Sequence, residues 1–128
     1  MKIPENLKYS EEHEWVSVKG ANASVGITDY AQNSLGDIVY VELPKVGALV
    51  KKGQEVTTIE SVKAASAIYS PVTGKIVEVN KSLDQKPELI NQDPYGAFIF
   101  VVEMKDPAEL NGLLDAAAYK THTEKSGH

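Results

Sequence analysis

The sequence contains no cysteine. That absence excludes a disulfide framework, a thiolate nucleophile and a cysteine-bound metal. Arginine is missing as well, and all 13 basic residues are lysine. Arginine is the side chain that recognises phosphate and carboxylate bidentately. Its absence, with a net charge of −5, argues against a nucleic-acid partner. Long apolar runs are also absent. No stretch approaches the roughly 20 apolar residues of a membrane span, and Met1–Asn6 lacks the apolar centre of a signal peptide. The expectation is a cytoplasmic protein, or an organelle protein read without its transit peptide, that touches neither nucleic acid nor membrane. No histidine–carboxylate cluster has metal-ligand spacing, and no Ser/His/Asp set stands out. No metal and no catalytic residues are therefore expected, and the chain does not read as an enzyme.

What is present reads as one domain over residues 1–128. A chain of 128 residues that is 42% apolar can bury a core without disulfides or metals. A monomer is expected. Short β-type runs dominate, punctuated by glycine and proline. Glu14–Lys19 and Ala23–Ile27 read as a hairpin around Gly20-Ala21-Asn22. A short helix follows from Thr28 to Leu35, with Thr28 as N-cap and Gly36 closing it. Ile38–Leu43, Ala48–Val50, Val56–Glu60, Ser66–Tyr69, Lys75–Val79 and Phe98–Met104 read as strands. Lys81–Gly96 reads as a loop. Asp106-Pro107-Ala108-Glu109 is a helix start with an acidic cap, proline at the first position and glutamate at the third. Asp115 opens a second, alanine-rich helix. The pattern predicts a C-terminal helical extension over 106–120 and a frayed polar tail over 121–128. The fold class is mainly β, a sandwich or flattened barrel with helices added late.

One lysine has an unusual setting. Ser61-Val62-Lys63-Ala64-Ala65-Ser66-Ala67 carries a single charge, at Lys63, among small neighbours. Turn tips more often carry glycine, asparagine or aspartate, and a lysine in a turn is ordinarily a solvated charge. Gly53 lies ten residues before Lys63 and Gly74 eleven after it, so one turn-and-strand unit leads into the lysine hairpin and a similar one leads out. Small flanks leave the amine open to a modifying enzyme. A Schiff-base lysine normally needs a desolvated amine, which an exposed tip does not provide. Biotinyl lysines are usually flanked by methionine, whereas Val62 and Ala64 stand here.

The segment Glu60-Ser61-Val62-Lys63-Ala64-Ala65-Ser66, with Ile68-Tyr69-Ser70-Pro71, resembles the lipoyl-lysine region of the glycine cleavage system H-protein family. So do His13-Glu14-Trp15-Val16, the run Val25–Gln32, the run Leu35–Pro44, Pro87–Asn91 and Asp93–Gly96. The resemblance covers about Leu7 to Tyr119. It implies a hybrid barrel-sandwich fold, and lipoic acid in amide linkage to Lys63. It also implies partners: a pyridoxal-phosphate glycine decarboxylase, a tetrahydrofolate-dependent aminomethyltransferase, a dihydrolipoamide dehydrogenase and a lipoylating enzyme. The carrier would shuttle the aminomethyl group of glycine among them as a shared substrate, not a catalyst. Related carriers serve sulfur oxidation with a heterodisulfide-reductase-like complex, or lipoate transfer, and these remain the alternative route.

Glu14 matches a family glutamate at the cleft where the loaded arm rests; its bland reading is a solvated edge-strand charge. Glu12 is a second candidate for that cleft. His13 reads as structural or exposed, with a proton carrier as its functional alternative, Trp15 as core, and Glu60 as a recognition residue for the lipoylating enzyme or a plain strand charge. His122 and His128 suggest nothing. Ala67 stands where the family usually carries an acid, and Gly96-Ala97-Phe98-Ile99 lacks the family's usual Gly-Trp pair.

Overall fold

The computed structural model describes residues 1–126, so His128 lies outside the described residues. The strands are β1 (Lys8–Tyr9), β2 (Glu14–Lys19), β3 (Asn22–Ile27), β4 (Ile38–Val41), β5 (Leu49–Val50), β6 (Glu55–Ser61), β7 (Ala65–Tyr69), β8 (Gly74–Val79) and β9 (Phe100–Met104). They form two antiparallel sheets, one of six strands in the order β1-β2-β3-β9-β8-β5 and one of three in the order β4-β6-β7. Alternation along each strand turns one apolar face inward. Val16, Val25, Ile38, Ile59, Ile76 and Val102 meet in one core between the sheets. The architecture is the barrel-sandwich hybrid expected from the resemblance. β6 pairs with β7 and β5 with β8, so the units that lead into and out of the Lys63 hairpin lie side by side.

The β2–β3 hairpin turns on Gly20, whose φ of 62° is a conformation that glycine adopts freely. In its register Trp15 faces Gly26. Trp15 is buried, and its indole N–H donates to Pro94 O at 2.9 Å, which bears out its reading as core. The ring rests directly on Gly26, where an added Cβ would lie 2.6 Å from two ring carbons. Gly26→Ala is therefore expected to destabilise the fold by about 1–3 kcal/mol, seen as a lower urea midpoint with an unchanged slope. An unchanged midpoint would show that the ring can shift.

Helix α1 (Asp29–Leu35) starts at Thr28, whose hydroxyl accepts from Ala31 N, and ends at Gly36 with φ 81°. Both caps match the sequence reading. Three expectations need correction. Residues 81–96 are not all loop: α2 (Ser82–Gln85) and α3 (Leu89–Gln92) are single-turn helices that bury Leu83 and Ile90. Their apolar residues are too few for a periodic signal, and burial decides their conformation. Asp106 does cap a helix, but residues Pro107–Gly112 are 3-10 rather than α. Glu109 does not fold back onto its own N-terminus as a capping box requires. Its carboxylate instead accepts from Thr73 N at 2.7 Å and Thr73 Oγ1 at 2.8 Å. The third correction is the frayed tail, because α4 runs from Ala116 to Ser126. Tyr119 and Thr123 are buried, and the Tyr119 ring stacks on Tyr9 at 4.7 Å. These contacts anchor a helix whose other described side chains are mostly exposed, Ala117, Ala118, Lys120 and Glu124 among them. No helix among the described residues is long and apolar enough to cross a membrane.

Candidate functional site

Lys63 occupies the turn between β6 and β7. Ser61 builds that turn. Its hydroxyl accepts from Ala64 N at 3.1 Å and Lys63 N at 3.3 Å, and donates to Ala64 O at 3.2 Å. The Ser61 N–H also bonds Ala64 O at 2.8 Å. A short polar side chain thus replaces the glycine or asparagine that turns usually need, and small residues can flank the lysine. Val62 and Lys63 are exposed.

The tip is also tied from below. Val62 N donates to Asp37 O at 3.0 Å. Asn91 holds the segment that carries Asp37. Its Oδ1 accepts from Ile38 N at 2.9 Å, and its Nδ2 donates to Gly36 O and to Gln32 Oε1, both at 2.9 Å. Gly36 lies under the lysine stem, where an added Cβ would sit 3.6 Å from Lys63 Cε. These backbone and side-chain bonds fix the tip, while the Lys63 side chain is exposed.

β7 leads from this tip to Tyr69. Four residue steps separate Ala65 from Tyr69, about 13 Å of strand. At Tyr69 the strand borders a cleft of about 310 Å³, whose lining includes Glu11, Glu12, Glu14, Lys52 and Tyr69. Three acidic residues and one lysine stand in that lining, a balance that favours cations over anions. Glu14 is only 1% exposed, so it is not a solvated edge-strand charge. Ser10 Oγ donates to its Oε1 at 2.5 Å, and Tyr69 N donates to its Oε2 at 3.2 Å. Burial pushes its pKa up to about 7, against the pull of these two hydrogen bonds, and nearby Glu12 pushes in the same direction as burial.

The fold therefore brings Glu12 and Glu14 to one cleft. Lys63 is at the far end of the strand that borders it, and does not line it. Ala67, on β7, registers opposite Thr58 of β6 and brings no carboxylate. His13 is half-buried with a φ of 72°. Its Nδ1 meets Tyr119 OH at 2.8 Å, and that hydroxyl meets Thr28 Oγ1 at 2.7 Å. Burial lowers the His13 pKa, and His122 adds to the effect. His13 is thus a tie between α4 and the start of α1. Sequence reasoning missed Ser61, Asn91 and Ser10. Ser61 was legible in principle as a hydroxyl two residues before the lysine.

Comparison with known proteins decides what this arrangement belongs to. The family model for glycine cleavage H-protein matches residues 7–126. The chain belongs to the glycine cleavage H-protein family. A glycine cleavage system H protein of Myxococcus xanthus strain DK1622 is 53% identical over 125 residues, covering 97% of each chain. One from Symbiobacterium thermophilum is 53% identical over 124 residues, covering 96% of this chain and 97% of that one. The crystal structure of a glycine cleavage system H protein from Mycobacterium marinum is 35% identical and superposes with a TM-score of 0.84, over 98% of this chain and 100% of that one. As an H-protein-family member, the chain presents an exposed lysine hairpin at one end of β7 and an acidic cleft at the other.

Proposed function

We propose that this protein is the lipoyl carrier of a glycine cleavage system, with the prosthetic group on Lys63 and its cargo received at the Glu14 cleft. The observation that carries this reading is the lysine tip. It is an exposed amine with small flanks on a turn braced by Ser61, Asp37 and Asn91. Each of the relatives compared above is named for glycine cleavage, and nothing favours the sulfur-oxidation alternative.

The residues present fit an acyl group on this amine. A lysine side chain alone is about 6 Å long, well short of the cleft. A lysine lengthened by an eight-carbon acyl chain is long enough. When bound, lipoate supplies two sulfurs that take up and hand over a one-carbon amine and return to a disulfide, chemistry that a chain without cysteine lacks. The chain itself does three things. The tip offers Lys63 to the lipoylating enzyme, with Glu60 beside it on β6 as a contact for that enzyme. The cleft excludes bulk water around Glu14. Glu14, with Glu12 at the rim, offers negative charge to a cationic aminomethyl group. No nucleophile–base pair of its own is assigned to the protein, and turnover belongs to the decarboxylase, the aminomethyltransferase and the dihydrolipoamide dehydrogenase.

Reconstitution tests this. Protein lipoylated by a lipoate ligase, given glycine and glycine decarboxylase, is expected to gain the mass of one methylamine, with the carboxyl group of glycine released as carbon dioxide. The same protein without partners is expected to turn over nothing. Failure of the lipoylated protein to load with a working decarboxylase would remove the glycine reading.

A further inference from the structure

Glu14 carries a conflict that the carrier role has to resolve. A carboxylate this buried favours its neutral form, but only the charged form pairs with a cation. Its surroundings give little help. Facing it across the cleft are Glu11 and Glu12 from the loop before β2, Tyr9 from β1, Tyr69 from β7 and Lys52 from the turn after β5; Leu113 and Leu114 close the far side. Lys52 is the sole cation of that set, and Glu12 opposes ionisation.

Ser10 is the group placed to offset this. The stretch from Ser10 to Glu14 closes on itself. Ser10 N donates to Glu14 O at 2.9 Å, and His13 N donates to Ser10 O at 3.1 Å. The Ser10 hydroxyl accepts from Glu14 N at 3.0 Å, and donates to Glu14 Oε1 at 2.5 Å. The hydroxyl takes that amide on one of its two lone pairs and gives its single proton to the carboxylate. Hydrogen bonds to a charged acceptor are the stronger class. The other donor to this carboxylate, Tyr69 N, is farther away at 3.2 Å.

We propose that Ser10 is a positioning residue of the carrier: its hydroxyl holds the Glu14 carboxylate charged and oriented, ready to receive a cationic cargo. This rests on the reading that the arm of Lys63 delivers its cargo to this cleft. Ser10 lines the same cleft, and its role in the proposal is exerted through Glu14.

The first arm of the test uses unloaded protein with its glutamate side-chain carboxyls labelled with carbon-13, titrated by NMR. Ser10→Ala is expected to raise the Glu14 midpoint by about one pH unit or more, and Ser10→Thr, which keeps the hydroxyl, to restore it. The second arm uses lipoylated protein loaded from glycine by the decarboxylase. Loss of cargo consumes one water and releases formaldehyde and ammonium, followed from about pH 6 to 9. Protection is expected to fade as pH falls through the Glu14 midpoint, and Ser10→Ala is expected to move that profile upward by the same interval. A merely structural serine would move neither. An unmoved midpoint together with an unmoved profile in Ser10→Ala overturns the proposal. Glu14→Gln separates the two levels. If it retains cargo as long as the wild type, the cleft reading fails and the proposal with it. If it loses cargo faster while Ser10→Ala changes nothing, the Ser10 proposal alone fails.

Discussion

Replacing Lys63 by arginine is expected to abolish lipoylation completely and leave the fold intact. Lipoylation needs a neutral amine to attack an activated acyl group. A guanidinium stays protonated at any physiological pH and cannot serve. The charge at the tip is kept, so a loss of modification cannot be blamed on altered electrostatics. The fold is expected to tolerate the change because the hydrogen bonds that shape the turn come from the Ser61 hydroxyl and from backbone groups of residues 61–64 and 37. An exposed side chain outside that set contributes within about 0.5 kcal/mol. Intact-mass analysis after treatment with a lipoate ligase should show one lipoyl addition on the wild type and none on Lys63→Arg, with equal urea midpoints. A lipoyl group on any of the twelve other lysines would show that the hairpin setting does not select the site.

Replacing Glu14 by glutamine is expected to make the protein more stable at alkaline pH and a poorer carrier. Burial raises the Glu14 pKa from 4.5 to about 7 in the folded protein, so the folded state holds a proton that the unfolded chain has already lost. Wherever the folded state binds more protons, stability falls as pH rises. The stabilisation from neutral, buried Glu14 is present below about pH 4.5 and is lost as pH climbs to about 7. That interval corresponds to roughly 3 kcal/mol for a group only 1% exposed. Glutamine does not ionise. The stability difference, Glu14→Gln minus wild type, should therefore grow by up to roughly 3 kcal/mol between acid and alkaline pH. His13, whose pKa is lowered by burial, makes both proteins less stable as pH falls below the ordinary histidine range, so it cancels in the difference. Urea unfolding at several pH values measures the effect, and parallel curves for the two proteins would refute it. Cargo loss should quicken by about tenfold or more, the worth of one charge-assisted hydrogen bond. Sites of function commonly retain such a destabilising group.

These two residues also mark how differently the site could be read. The Lys63 hairpin is a local object. Its strands, its small flanks and its lone charge lie within fifteen residues, Glu55 to Tyr69, Ser61 included, and turn chemistry acts over that distance. The β2–β3 hairpin, both caps of α1 and the acidic cap of the 3-10 helix were legible for the same reason. Glu14 was open between a solvated charge and a cleft residue, because an alternating strand does not say what will cover its first position. The cleft over it is lined by Tyr69, Ser70 and Pro71 and by residues 112–114, a hundred positions away at the farthest. Tail residues Thr121–Ser126 read as polar and frayed, since the tyrosine that anchors them stacks on Tyr9 from the other end of the chain.

By itself, then, the sequence determined the turn setting of Lys63 and the strands from β2 onward, which depend on side chains within a few residues of one another, and the family, which rests on motifs spread from about Leu7 to Tyr119. The tertiary structure alone decided that Glu14 is buried beside Glu12 and Ser10, that Asn91 braces the tip through Gly36 and Ile38, and that the last helix holds. Each of those outcomes depends on a partner distant in the chain: Tyr69 for Glu14, Asn91 for the tip, and Tyr9 for the last helix. Desolvation and a hydrogen bond across 53 positions, from Asn91 to Ile38, act between groups that no local pattern places in contact.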